Sequence, residues 1–164
     1  MTAPLLAQSY HDHAHGEAAG TVCLTYEDRF LRRKVLTMTE GGTVLADLPQ
    51  TTSLDHGGVL CLTDGREVLV TAAPEPLLEV RGNLLHRLAW HIGNRHTPCQ
   101  IEGDRLLIQR DHVLAQMLVG LGAEVREITE PFTPEGGAYG HGRTHGHDHT
   151  AQHGPEGHSH AHEH

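Results

Sequence analysis

The stretch "PLLEVRGNLLHRLAWHIGNRHTPCQIEGDRLLIQRDHVLAQMLVGLGAEVREITEPF", residues 76–132, alternates short apolar runs with two longer amphipathic segments. Both longer segments place apolar residues at positions i, i+1, i+4, i+5 and i+8, which is the spacing of a helix that buries one face. The runs "PLLEVRG", "CQIEGDRLLIQ" and "AEVREITEPF" are typical of strands, and the middle one turns at Gly103. The predicted order is βαββαβ, a ferredoxin-like antiparallel sheet with both helices on one face, over residues 75–135.

The ends of the two predicted helices carry residues that suit caps. Asn83 can cap the start of the first helix and Asp111 the start of the second, because their side chains accept hydrogen bonds from free backbone N–H groups. The second helix can end at Gly122. The first should end near Gly93 and Asn94, since both residues tolerate the left-handed conformation that ends many helices.

His96 then lies in the loop just beyond the first helix, before Pro98 forces an extended backbone. The sequence leaves two roles open for this histidine. Its protonated ring would stabilise the C-terminus of the helix. Alternatively, it projects from the end of the domain to bind a ligand.

Trp90 is the only tryptophan, and it points away from the apolar stripe of its helix. An indole exposed on a monomer indicates a second surface that covers it. We therefore predict a symmetric homodimer with Trp90 at or near the interface. If His96 lies near the two-fold axis, two imidazoles begin a metal site but do not complete one.

The first half of the chain is predicted to hold a small all-β domain over residues 21–74. Five short runs rich in Val, Leu and Thr are separated by glycine turns, and "CLTDGREVLV" is a hairpin signal across Asp64-Gly65. The basic stretch "DRFLRRK" is expected on the outer surface, either as a charged strand edge or as a partner site. Residues 1–20 are expected to form a mobile arm. Its alternating histidines, His11, His13 and His15, are either solvated or weakly metal-binding.

The chain ends in "GRTHGHDHTAQHGPEGHSHAHEH", residues 142–164. Nine of the 24 residues from His141 onward are histidine, against 17 in all 164 residues, so the enrichment is local. This segment has too few apolar residues to form a core, and residues 136–164 are predicted to be disordered. Composition alone leaves three roles open: a solvated tail, a pH-sensitive segment and a collector of metal ions.

Composition argues against several classes of protein. The net charge of −9 with histidine neutral, and the lack of a basic stripe, argue against nucleic acid as a partner. No apolar run is long enough to span a membrane and no leader opens the chain, so we expect a soluble cytoplasmic protein with no membrane partner. Three scattered cysteines fit a reducing compartment. No phosphate-binding loop, nucleophile elbow or metalloprotease motif is present, so we predict that the protein is not an enzyme.

Three motifs between His91 and Gly142 carry a resemblance to a known family: the G-N-R-H loop, the D-H-V-L-x-x-M-L helix and the P-F-x-P-E-x-G-A-Y-G-H-G exit. Together they resemble the metal-binding domain of UreE, the family of urease accessory proteins that are nickel metallochaperones. With the β-rich start, the resemblance covers roughly residues 21–142. It implies a peptide-binding-like β domain, a ferredoxin-like domain that dimerises, and a histidine-rich tail.

The resemblance also implies roles for particular residues. The family's metal histidine falls on His96, and His112 matches an accessory surface ligand of some members, whereas Arg110 stands where some members have a partner histidine. Side chains alternate between the two faces of a strand, and this alternation favours an inward position for Cys99. Cys99 is then a small apolar residue rather than a thiolate ligand. The predicted metal ligands are therefore His96, His112 and the tail histidines His141, His145, His147, His149, His153, His158, His160, His162 and His164.

The implied function is that of a metallochaperone that carries Ni(II) as cargo and donates it during assembly of the urease metallocentre. Its implied partners are the urease apoprotein and the urease accessory GTPase complex. Zn(II) or Cu(II) can compete, since imidazole suits all three ions. The alternative is a histidine-rich protein for nickel or zinc storage or detoxification, which would carry the same tail but would not need the His96 domain.

Overall fold

The computed structural model describes residues 3–137, which form two sheets, with helices packed on the second. The first sheet has six strands in the order β2-β6-β5-β1-β4-β3. Their bounds are β1 Leu5–His11, β2 Ala18–Leu24, β3 Phe30–Thr37, β4 Thr43–Ser53, β5 Val59–Leu62 and β6 Glu67–Ala72. The prediction of an N-terminal all-β region is confirmed.

The predicted hairpin is present as β5 and β6, which pair antiparallel. Gly65 takes φ 91°, a conformation open to glycine without a steric cost, and the Leu62 N–H donates to the Arg66 carbonyl at 2.8 Å across the turn. The strands of this sheet bury Val22, Val44 and Val68 completely in one apolar core.

The expectation of a mobile arm over residues 1–20 is wrong for the residues that form β1 and the start of β2. Strand β1 lies inside the sheet, parallel to β4 and antiparallel to β5, and Ala7 is fully buried. The short apolar run Leu5-Leu6-Ala7 is enough for a strand because neighbours on both sides supply its hydrogen-bond partners. Polar residues follow this run directly, so the composition of residues 1–20 does not predict a strand there.

The second half of the chain contains β7 Pro74–Arg81, α1 Leu85–Asn94, β8 Gln100–Ile101, β9 Leu106–Gln109, α2 His112–Gly120 and β10 Glu124–Pro131. Its four strands have the order β10-β7-β9-β8, and all three neighbouring pairs are antiparallel. The predicted βαββαβ arrangement is confirmed. Neither helix is long and apolar enough to cross a membrane, within the residues described.

One of the two predicted helix caps is present. The Asp111 carboxylate accepts a hydrogen bond from the Leu114 N–H at 3.0 Å, and Gly122 ends the turn after α2 with φ 90°. Asn83 does not cap α1, because the N-cap is Leu84 and it makes no side-chain capping bond. Burial of Leu88 on the sheet sets the position of this helix instead.

The two faces of the second sheet have separate cores. Both helices pack on one face, where Leu88, Ile92 and Leu118 meet the side chains of β7 and β9. The other face is covered by Tyr26 from the first half of the chain and by Phe132, whose rings meet edge to face at 5.4 Å.

Arg29 links the two halves of the chain from a buried position. Only 3% of the residue is exposed, and its guanidinium donates to the carbonyls of Leu24, Leu54 and Phe132. The expectation that "DRFLRRK" lies on the outer surface is therefore wrong for Arg29. Three carbonyls distant in sequence from one another satisfy the buried charge, and no local pattern reveals them.

Candidate metal centre

His96 closes the C-terminal end of α1. Its N–H donates to the Gly93 carbonyl at 2.9 Å, and the Thr97 N–H donates to the Ile92 carbonyl at 3.4 Å. This pair of bonds is the Schellman arrangement, in which one residue adopts the left-handed conformation. That residue is His96, with φ 57°. The predicted end of α1 near Gly93 and Asn94 is confirmed, because the helix ends at Asn94. The expectation that one of these two residues would be left-handed is wrong.

Among residues 3–137, His96 is the only non-glycine residue with a positive φ. The left-handed conformation costs a residue with a Cβ atom roughly 1–2 kcal/mol. Glycine would close the same helix end without this cost. A strained backbone at a histidine points to a role for the imidazole itself.

The side chain of His96 is exposed at the end of the domain, as the loop position predicted. On α1 itself Trp90 is also exposed, with 63% of its surface accessible, and its indole meets the His91 ring edge to face at 5.0 Å. The outward direction of Trp90 is confirmed. Its place in a subunit interface stays a prediction.

Cys99, three residues after His96, is partly buried against the helix-side core. Burial, together with the negative charge of Glu135, raises the pKa of its thiol to about 11. The thiol therefore stays protonated near neutral pH, whereas a metal ligand would need the thiolate. The interpretation of Cys99 as a small core residue accounts for this position.

The chain that leaves β10 returns to the strand that follows His96. The Thr133 N–H donates to the Gln100 side-chain oxygen at 2.8 Å, and the Glu135 N–H donates to the Cys99 carbonyl at 2.9 Å. We call residues 133–137 the tail root. Sequence reasoning missed this contact, which joins segments 33 or more residues apart and has no local signal.

His112 begins α2 and is exposed, with its Nε2 3.1 Å from the Gln116 amide nitrogen. Arg110, where a partner histidine was considered, donates to the Leu77 and Ile128 carbonyls and so is held against the sheet. Within residues 3–137, no three His, Cys, Asp or Glu side chains are grouped so as to hold a metal ion. The structure therefore does not complete a site from His96 and His112.

The remaining predicted ligands lie outside the described residues. They are His141, His145, His147, His149, His153, His158, His160, His162 and His164.

Comparison with known families matches the two halves of the chain separately. The N-terminal domain of the UreE urease accessory protein matches residues 4–73, and its C-terminal domain matches residues 75–164. The chain belongs to the UreE family of urease accessory proteins. The N-terminal match begins at residue 4, in agreement with the strand found at residues 5–11.

Individual UreE proteins match over most of their length. The chain is 65% identical over 147 residues to the urease accessory protein UreE of Ruegeria sp. (strain TM1040), covering 88% of this chain and 84% of the relative. It is 64% identical over 133 residues to that of Ruegeria pomeroyi, covering 81% and 89%. The protein of the same name from Rhodopseudomonas palustris is 51% identical over 138 residues, covering 81% and 64%.

Proposed function

We propose that this protein is a nickel-binding metallochaperone that donates Ni(II) during assembly of the urease metallocentre. Membership of the UreE family supports a role in urease maturation. The proposed partners are the urease apoprotein and the urease accessory GTPase complex, and no catalytic role is proposed.

The observation that carries the proposal is the strained, exposed histidine at the end of α1. His96 keeps a side chain where glycine would be less costly, and the residue is exposed. Imidazole is a ligand that Ni(II) accepts readily. In a dimer built around the exposed Trp90, each subunit would contribute one His96 to a shared ion.

The tail root supplies a source for the missing ligands. It is hydrogen-bonded to Cys99, which is three residues from His96. His141 follows Glu135 by six residues, and an extended chain of that length reaches about 20 Å. We propose that tail histidines complete the His96 site from this anchored start, with the tether raising their local concentration.

Such a site would bind nickel and also release it. Two fixed imidazoles leave coordination positions for exchangeable ligands, so the ion can pass to a partner stepwise. Imidazole also accepts Zn(II) and Cu(II), so affinity alone does not select nickel. Selectivity in this proposal comes from the partner that receives the ion.

Calorimetric titration of the full chain with Ni(II) tests the role of His96. We expect His96→Ala to remove the tightest binding event while most of the other bound ions remain. His86→Ala, which removes an exposed imidazole from the same helix, is the control and should bind nickel as the unmodified chain does. If His96→Ala keeps the tightest binding event, the main nickel site lies in the tail and not at His96.

The density of histidine after His141 favours one other function, storage or detoxification of nickel or zinc. A store would bind many ions and would not need His96 or a client protein. Transfer of bound nickel to urease apoprotein separates the two functions, because only the chaperone depends on His96 for that transfer.

A further inference from the structure

The turn between β1 and β2 brings three imidazoles together at one end of the first sheet. The ring centres of His13 and His15 are 4.2 Å apart, and those of His11 and His15 are 6.0 Å apart. All three side chains are exposed. This cluster belongs to a different half of the chain from His96, and the proposed function does not use it.

The backbone that carries these rings is held in place. The His15 N–H donates to the Glu67 carboxylate at 2.9 Å, and the Glu67 N–H donates to the Glu17 carbonyl at 2.8 Å. The flanking strands β1 and β2 are both paired within the sheet. The imidazoles are therefore presented from a fixed turn, and less entropy is lost when a ligand orders them than in a free terminus.

Two carboxylates hydrogen-bond to residues of the cluster, Asp12 to the His13 ring and Glu67 to the His15 backbone. Asp12 hydrogen-bonds to Nδ1 of His13, which orients that ring and leaves Nε2 as the donor atom for a metal. Glu67 is buried beneath the turn, and within residues 3–137 its Oε2 atom has no hydrogen-bond partner. A partly satisfied carboxylate one hydrogen bond away from the His15 backbone favours a cation bound by the neighbouring imidazoles.

We propose that His11, His13 and His15 form a second metal site, for a borderline divalent ion such as Cu(II), Ni(II) or Zn(II). Two imidazoles on one ion, each with nitrogen about 2.0–2.1 Å from the metal, have ring centres roughly 4.5–6 Å apart. The His11–His15 spacing of 6.0 Å lies at the upper end of this range, and the His13–His15 spacing of 4.2 Å is slightly below it. Their nitrogens do not yet surround one point in the described chain. Rotation of exposed rings about their side-chain torsions brings the nitrogens together.

Nuclear magnetic resonance of the full chain with Cu(II) as a paramagnetic probe tests this site apart from the tail. At a few tenths of an equivalent, we expect broadening of the amide signals of Ala14, His15 and Gly16, in addition to any broadening in the tail. His13→Ala/His15→Ala should weaken the effect on the turn at least tenfold, measured as the Cu(II) concentration that gives half broadening. His86→Ala is the control and should leave it unchanged.

A substitution at Asp12 tests the same site while all three imidazoles remain. Asp12→Asn should weaken the broadening of the turn by several-fold, because the His13 ring loses its orienting carboxylate. Turn signals that stay sharp while the tail is saturated would overturn the proposal. Equal broadening of the turn in His13→Ala/His15→Ala would overturn it as well. Neither result bears on His96, so the proposed function is tested separately.

Discussion

The backbone N–H of Glu135 donates to the carbonyl of Cys99 at 2.9 Å, and this bond ties the tail root to the residue just before β8, three positions after His96. The adjacent bond from Thr133 to the Gln100 side chain holds the same crossing. The two bonds give the tail a defined origin near the proposed metal histidine.

Gln100→Ala should loosen the tail root without altering any proposed ligand. The Thr133 N–H loses its acceptor, so its hydrogen exchange should accelerate. Affinity for the first Ni(II) ion should fall by roughly two- to tenfold, since tail ligands lose effective concentration. Calorimetry measures the affinity, and Gln50→Ala, an exposed amide on the other sheet, is the control. Equal affinity for the first Ni(II) ion in the unmodified chain, Gln100→Ala and Gln50→Ala would mean that the tail root does not bring the tail ligands to the site.

His96→Gly separates backbone strain from metal binding. Glycine relieves the left-handed conformation, so the metal-free protein should gain roughly 0.5–1 kcal/mol in its free energy of unfolding, while the tightest nickel event disappears. His96→Ala should lose the same nickel event without this gain. Urea unfolding of the metal-free proteins measures the difference. A loss of stability in His96→Gly would show that the imidazole has a structural role.

Trp90 should lie at a subunit interface. The full chain is expected to sediment as a dimer at tens of micromolar, and Trp90→Asp should weaken association at least tenfold, because an exposed indole is replaced by a charge in an apolar contact. Sedimentation velocity across a concentration series measures this. A monomer at every concentration, with and without nickel, would remove the shared two-fold site.

Nickel binding by the tail should weaken as pH falls from about 7 to 5.5. Unperturbed histidine titrates near pH 6.5, and an imidazole must be neutral to bind metal. Binding is therefore present above that pH and is lost below it, more steeply than one proton per ion where several imidazoles share an ion. The number of nickel ions bound at each pH, measured by equilibrium dialysis, shows the slope. A number that does not change over this range would exclude imidazole as the main ligand.

Glu79 should stabilise the second sheet through its charge. Hydrogen bonds from Arg81 and Arg105 lower the pKa of this buried carboxyl from 4.5 to about 2. Its contribution is present above the unfolded pKa of 4.5 and is lost as pH falls towards 2. Glu79→Gln should therefore destabilise the protein by about 1–3 kcal/mol at pH 7, and by less at pH 3. Urea unfolding at both pH values checks this, and an equal difference at both would contradict it.

Much of the fold could be predicted because its signals are local. The two helices that pack on the second sheet bury residues at a regular spacing, and Asp111 and Gly122 mark the two ends of α2. Strand β1 was missed because its apolar run is short and is completed by partners from β4 and β5. The burial of Arg29 was missed because its three acceptors are far apart in sequence.

The candidate site could be predicted only in part. The loop position of His96 follows from the end of the apolar stripe, but its left-handed backbone does not, because general preferences assign that conformation to Gly93 or Asn94. The return of Glu135 to Cys99 has no pattern in the sequence, since it depends on how β10 leaves the sheet. Both features depend on tertiary structure, and both lie beside the proposed metal site.

Activation of urease apoprotein across a nickel series measures whether His96 is needed to donate the ion. The assay compares the full chain, His96→Ala and the His86→Ala control, from nickel that is scarce relative to urease up to nickel in excess. We expect His96→Ala to activate urease poorly when nickel is scarce and to approach the control when nickel is abundant. Full activation by His96→Ala at scarce nickel would contradict this expectation.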